Sequence, residues 1–267
     1  MLLHLSDLHF GTEQPVVQAA LKRLCQRLQP EAVVVSGDLT QRARLEQFLA
    51  ARDFLHSLER PLLIVAGNHD IPLFHVSKRL LMPFHRFHQV FGNLEPVLET
   101  QHFYLVGVNS ITRHHHTQGS ISPLQIWQAG ERLRQAPVGK RRLIVSHQPF
   151  AVNHPVDADD IPRLMPRAVQ HWANVGLEMI LHGHLHIPAV FDLNEQLLLG
   201  QHRPVLDVQA GTSLSSRLRQ GVPNSVNVIY PDLSVERLDF YHTQGGFRHS
   251  AWMWPLGRES ADWHDDS

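Results

Sequence analysis

Side chains able to bind metal or move a proton recur at the ends of apolar runs in this chain. Asp7 and His9 follow residues 2–6, Asp38 follows residues 32–36 through Gly37, and Asn68 and His69 follow residues 62–66 through Gly67. His147 follows residues 143–146, and His184 and His186 follow residues 178–181 through His182-Gly183. One such ending is a weak signal. Recurrence after successive apolar runs is a strong one, because open α/β sheets build their sites where buried strands end. Carboxylate, imidazole and amide donors without thiolates suit Mn, Fe or Zn better than a soft metal or an all-oxygen Mg or Ca site. The set is too large for one tetrahedral ion; two ions sharing a bridging carboxylate accommodate it. Residues two apart in extended chain point the same way. Asp7 with His9, and His184 with His186, are therefore each expected to present two groups to one place.

These groups need strands that end on a common edge. Residues 2–6, 32–36 and 62–66 read as buried strands. Pro15 opens a helix with Val17, Ala20, Leu21, Leu24 and Leu28 at helical spacing, and Pro30 closes it. A second helix is predicted over about 41–58, with Ala51, Leu55 and Leu58 on one face. The order β-α-β-α-β implies parallel strands and right-handed crossovers, so these strands all end on the same edge. Residues 102–109 add a strand. Ser122-Pro123-Leu124-Gln125 supplies the cap, first-turn proline and capping-box glutamine of a helix that buries Ile126, Ala129 and Leu133. A strand over 143–146, a proline-rich polar loop over 149–166, a helix through Val169 and Trp172 and a strand over 178–181 follow.

From about Val190 the pattern reads as antiparallel. Residues 225–230 and 233–240 alternate around Pro231-Asp232, a hairpin signature, and Trp252 and Trp254 are expected to close a core. Residues 71–93, with Phe74, Leu80, Leu81, Phe84, Phe87 and Phe91, read either as a helix packed on the sheet or as a lid over the site. His114-His115-His116 reads as a solvated loop, since three adjacent histidines cannot face one point. One domain over residues 1–256 and a polar acidic tail over 257–267 are expected.

Net charge is -1 and the pI about 7.1, so no bulk field draws nucleic acid or an anionic membrane. No stretch reads as a membrane span. The single cysteine, Cys25, excludes an internal disulfide, and the first strand runs straight into a polar motif; a cytoplasmic protein is expected. Oligomeric state stays open, a dimer included.

Taken in order, Asp7-x-His9, Gly37-Asp38, Gly67-Asn68-His69-Asp70, His147 and Gly183-His184-x-His186 resemble the signature of the calcineurin-like metallophosphoesterases. The resemblance spans roughly residues 1–190 and is greatest to the small bacterial members that include class III cyclic-nucleotide phosphodiesterases. It implies a four-layer α/β/β/α sandwich, with the C-terminal antiparallel hairpin extending the second sheet. It also implies that Asp7, His9 and His186 hold one ion, that Asn68, His147 and His184 hold the other, and that Asp38 bridges them. His69 would bind no metal and would face the substrate. Gly67 is expected to permit a sharp exit from its strand, and Asp70 to anchor the loop by hydrogen bonds.

Two divalent ions bring about four positive charges, which the carboxylates of Asp7 and Asp38 do not cancel. The centre thus favours a small anionic phosphoester. The implied reaction is hydrolysis of a phosphodiester in a small nucleotide such as a cyclic nucleotide, with His69 as acid to the leaving oxygen. The alternative is a phosphate or pyrophosphate link in a lipid or sugar-nucleotide such as UDP-diacylglucosamine. An inactive metal-poor scaffold would be expected to lose ligands, and none is lost. Arg113 reads as solvated rather than as a substrate contact, Gln148 as a further candidate contact, and His182 as structural.

Overall fold

Strands that are apolar on both faces must be covered on both faces. The computed structural model, which describes residues 1–73, 76–115 and 117–255, shows how. Phe74, His116 and the tail over 257–267 lie outside the described residues. Strands β1 (Leu2–Leu5), β2 (Ala32–Ser36) and β3 (Leu62–Val65) pair in parallel, with helices α1 (Pro15–Leu28) and α2 (Leu45–His56) as the crossovers. Helices α3 (Val76–Leu81) and α4 (His85–Phe91) lead to the second sheet. There β4 (Val97–Glu99) is an antiparallel edge on β5 (Phe103–Gly107), which pairs in parallel with β6 (Arg141–Val145) across α5 (Pro123–Arg134). After α6 (Met165–Ala173), β7 (Met179–His182) joins β6 in parallel. Strand β8 (Ala189–Asp192), the short helix α7 (Leu193–Leu197) and β9 (Leu206–Gln209) complete that sheet.

The core is layered accordingly. Leu3, Leu5, Val33 and Val35 pack with Leu21 of α1 and Phe48 of α2. On the opposite face of the same strands, Leu2, Val34 and Leu63 meet Phe103, Leu143, Leu181 and Val208 between the sheets. Val106, Ile144 and Ile180 then turn outward to Ile126 of α5 and Trp172 of α6. Alternating side chains thus build the four-layer α/β/β/α sandwich.

The sequence-based expectation fails on where the C-terminal strands go. Strand β10 (Ser225–Ile229) and β11 (Val235–Tyr241) form the expected hairpin, β12 (Gly246–Trp254) joins it, and all extend the first sheet, in the order β12-β11-β10-β1-β2-β3. The second sheet's order is β4-β5-β6-β7-β9-β8. The free edge of β1 receives β10 in the register Leu2 to Ile229, which puts Val226 and Val228 on the helix face beside Leu3 and Leu5. Nor is everything past Val190 antiparallel, since β9 runs parallel to β7. The second helix starts later than expected because Ala43 takes a left-handed φ of 49°. Within 71–93, Phe87 is fully buried, and its ring and that of Phe91 lie 6.5 and 6.3 Å from Phe48; α4 therefore packs on α2. Among the described residues no helix is long and apolar enough to cross a membrane.

Two predictions follow from this packing. Phe87→Ala should cost about 3 kcal/mol in urea denaturation while leaving metal content unchanged; loss of metal without loss of stability would contradict a packing role. His4, on the inter-sheet face with Leu2, is fully buried with Nε2 2.9 Å from Ser36 Oγ. Burial, then His182, pushes its pKa down from 6.5 to about 3. Between those values the unfolded chain binds the extra proton, so stability is full above pH 6.5 and falls as pH drops toward 3. Replacement by glutamine should flatten that acid slope; an unchanged slope would exclude His4 as a contributor.

Candidate metal centre

The parallel pairing of β1 and β2 continues past both strands. The N–H groups of Asp7 and His9 donate to the carbonyls of Gly37 and Asp38 at 3.1 and 2.9 Å. In the second sheet, the N–H of Gly183 donates to the carbonyl of His147 at 3.1 Å. The chain then leaves extended geometry. Asp7, His9, Asp38, His184 and His186 have φ of 53°, 45°, 51°, 74° and 61°. The two-residue alternation expected for Asp-x-His and His-x-His is therefore not how these side chains converge. Left-handed backbone aims them, at a cost of order 1–3 kcal/mol per residue. Gly67 is also not the expected turn residue, since its backbone is extended (φ -107°). A Cβ there would collide with Asp38, so glycine is required for close approach of the β2 and β3 exits.

Two groups of donors result. His9 Nε2 lies 3.7 Å from Asp7 Oδ1 and 3.6 Å from Asp38 Oδ2. His186 Nε2 lies 3.4 Å from Asp7 Oδ1 and 3.4 Å from His9 Nε2. Ligand atoms of Asp7, His9, Asp38 and His186 all fall within 4.8 Å of one another. In the other group, Asn68 Oδ1 is 3.0 Å from both His147 Nε2 and His184 Nδ1, and His147 Nε2 is 3.4 Å from Asp38 Oδ1. Asp38 thus turns one oxygen to each group. His69 stands outside both, edge-on to His9 with ring centroids 4.9 Å apart. Its N–H donates to Asp38 Oδ1 at 2.8 Å.

The donor set fits metal. Asp7 Oδ1 is buried and accepts no hydrogen bond among the described residues, although two imidazole Nε2 atoms flank it. Outer contacts orient the rings as metal ligands require. His147 Nδ1 donates to the Ser36 carbonyl (2.8 Å), and His186 Nδ1 faces Thr212 Oγ1 (2.6 Å) and the Arg217 carbonyl (2.8 Å). His184 Nε2 sits 3.5 Å from Asp160.

Burial pushes the His9 imidazole down to about 3, against the pull of Asp38 and Asp7, and burial also lowers His147. Both are thus held neutral, the form that ligates. Burial would lower His184 too, but Asp160, then Asp38 and Asp7, together outweigh it and raise that group. For Asp38, burial acts upward and is overcome by His147, His69 and His9, which hold the carboxyl far below its usual range.

The remaining candidates fall elsewhere. Asp70 anchors the loop as expected, accepting from Thr40 N–H, Thr40 Oγ1, Leu39 N–H and Gly67 N–H at 2.9–3.1 Å. Burial, then Asp38, pushes it up to about 7. His182 Nε2 meets buried Asp207 at 2.9 Å, a structural pair. Arg113 donates to the Leu80 carbonyl, and Gln148 is buried against Ser110 and Thr117; both are tied to loops. Sequence reading missed Asp160, Thr212, Gln41 and Arg217. Gln41, Thr212 and Arg217 lie in loops and Asp160 ends the 3-10 helix Pro155–Asp160, all outside any strand-end pattern.

A two-sheet α/β sandwich with buried carboxylates and imidazoles at its converging strand ends has the architecture of a dinuclear metal-dependent hydrolase. The chain matches the model of the calcineurin-like phosphoesterases over residues 1–188, and it belongs to that family. Among curated relatives it is 37% identical over 83 residues to the glycerophosphodiester phosphodiesterase GpdQ of Enterobacter lignolyticus, covering 26% of this chain and 29% of that protein. To a probable cyclic nucleotide phosphodiesterase of Ruthia magnifica it is 24% identical over 164 residues, covering 60% of this chain and 64% of the relative. The match thus spans less than two thirds of either relative's length.

In fold it is similar to the purple acid phosphatase PPD1 of yellow lupin seeds (TM-score 0.64, 12% identity, 93% of this chain and 52% of that one). It is likewise similar to a dimetal phosphatase of Danio rerio (TM-score 0.56, 13% identity, 90% and 92%).

If Asp38 serves both groups, Asp38→Ala should lose both ions and Asn68→Ala only one, as read by elemental analysis after Mn loading and desalting. Retention of two ions by Asp38→Ala would break the bridging assignment.

Proposed function

We propose that the chain hydrolyses a phosphodiester in a small nucleotide, a cyclic nucleotide first among candidates, with two transition metal ions (Mn, Fe or Zn). Asp7, His9 and His186 would hold one, Asn68, His147 and His184 the other, and Asp38 both. The observation that carries this reading is Asp38, with one oxygen turned to each donor group while His69 stays outside. When bound, the ions would neutralise phosphoryl oxygens and acidify water.

The protein's own part is to hold the ester and supply a proton. His69 Nδ1 lies 3.0 Å from the Gln41 carbonyl, which only accepts, so Nδ1 carries a proton, and Nε2 lies 3.2 Å from Arg217 Nη1. His69 borders a cavity of about 240 Å³, lined also by Gln41, Arg42, Ile71, Leu73 and Arg217. A proton on Nε2 goes to the departing oxygen. The size and polar walls of this cavity support a small ester over a lipid. Similarity to the glycerophosphodiester phosphodiesterase of Enterobacter and the probable cyclic nucleotide phosphodiesterase of Ruthia supports a diester.

Mn-loaded protein assayed on cyclic nucleotides, glycerophosphodiesters, nucleotide-diphosphate sugars and phosphomonoesters should turn over a diester fastest; a pyrophosphate-linked substrate ahead of every diester would favour the alternative. His69→Ala should keep its metal and lose about 100-fold or more in kcat on esters with poor leaving groups. Full activity of that variant on such an ester would remove His69 from the chemistry.

A further inference from the structure

Arg217 lies in the loop between β9 and β10, and that loop is tied to the end of β1 that carries Asp7 and His9. Ser213 N–H donates to the Ser6 carbonyl (3.0 Å), Ser216 N–H to the Thr12 carbonyl (2.9 Å) and Ser215 Oγ to the Asp7 carbonyl (3.4 Å). The main-chain carbonyl of Arg217 faces His186 Nδ1 at 2.8 Å. Its side chain turns the other way, half-buried, to the cavity wall. There Nη1 lies 3.2 Å from Gln41 Oε1 and 3.2 Å from His69 Nε2.

The surroundings of this contact point to an anionic ligand. No carboxylate lines the cavity, and among the described residues Arg217 makes no ion pair. A cation half-removed from water beside a small polar cavity is matched to an anion.

We propose that Arg217 is a catalytic residue that contacts the departing oxygen of the phosphoester together with His69. His69 and a guanidinium nitrogen 3.2 Å from its Nε2 border the same cavity, so a phosphoester seated there meets both side chains. As a water oxygen bonds to phosphorus, the P–O bond to the leaving group breaks and its electron pair stays on the departing oxygen. The proton comes from His69 Nε2, the attacking water releases one of its own to solvent, and Arg217 keeps all its protons while stabilising the developing charge. The same residue's carbonyl orients His186, so one loop position serves both the donor cluster and the acid.

This inference rests on the phosphoesterase reading above, and its test separates the two. Arg217→Ala and Arg217→Lys, Mn-loaded and checked for two ions per chain, are compared with wild type on two diesters. One is bis-p-nitrophenyl phosphate, whose leaving group needs little help. The other is glycerophosphoethanolamine, with alkoxide leaving groups. On the alkyl diester Arg217→Ala should lose about 100-fold in kcat and the lysine variant about tenfold, with less than about threefold lost by either on the nitrophenyl ester. Added guanidinium should restore part of the loss in Arg217→Ala and none in His69→Ala. Inorganic phosphate, titrated calorimetrically, should bind Arg217→Ala about tenfold more weakly than wild type. Equal losses on both esters, or unchanged phosphate affinity, overturn the assignment. Wild type without turnover on either ester would refute the phosphoesterase reading, while the phosphate titration would still decide whether Arg217 binds the anion.

Discussion

A carboxylate with 1% of its surface exposed has to be compensated where it stands. Asp38 is that group, and the rest of the centre is arranged around it. One oxygen meets His9, the other meets His147 and the N–H of His69. Burial works to protonate it, and the surrounding imidazoles win. The backbone yields to this demand. Asp38 itself sits at a left-handed φ of 51°, and the β3 exit can come close only because Gly67 has no side chain.

The donors come from both sheets, and this makes the centre a property of the whole fold. Asp7 and His9 leave β1, Asp38 leaves β2 and Asn68 leaves β3, while His147, His184 and His186 leave β6 and β7. Their separations depend on how the sheets are spaced. That spacing is set by the apolar layer in which Leu2, Val34 and Leu63 face Leu143 and Leu181. A close-packed interior transmits volume changes, so the packing of this layer and the geometry of the donors are linked. The turn at Asn68–Asp70 divides its work accordingly. Asn68 joins the donors, His69 faces the cavity, and Asp70 accepts four hydrogen bonds that keep the turn against β2.

Much of this was legible in the residues. The apolar runs gave the parallel strands, and their polar endings named the groups that the structure brings together. The capping box at Ser122 appears as expected. What was not legible depends on tertiary partners. Alternation in residues 225–240 identifies a hairpin but carries no information about which sheet edge is free, and the free edge belonged to β1. β4 is three residues long with Val97 and Glu99 exposed, too short to show a period. Asp-x-His fits alternation and so hides the left-handed residues, whose backbone is decided by the close approach of neighbouring chains. Asp160 and Arg217 follow no apolar run, and only folding places them beside His184 and His69.

The central claim is a coupled pair of ions around Asp38. It is tested most directly by titrating the metal-free protein with Mn(II) and recording electron paramagnetic resonance. The structure predicts saturation at two ions per chain, with an exchange-coupled signal that replaces the isolated-ion spectrum as the second site fills. Saturation at one ion, or two ions that stay magnetically independent, would contradict it.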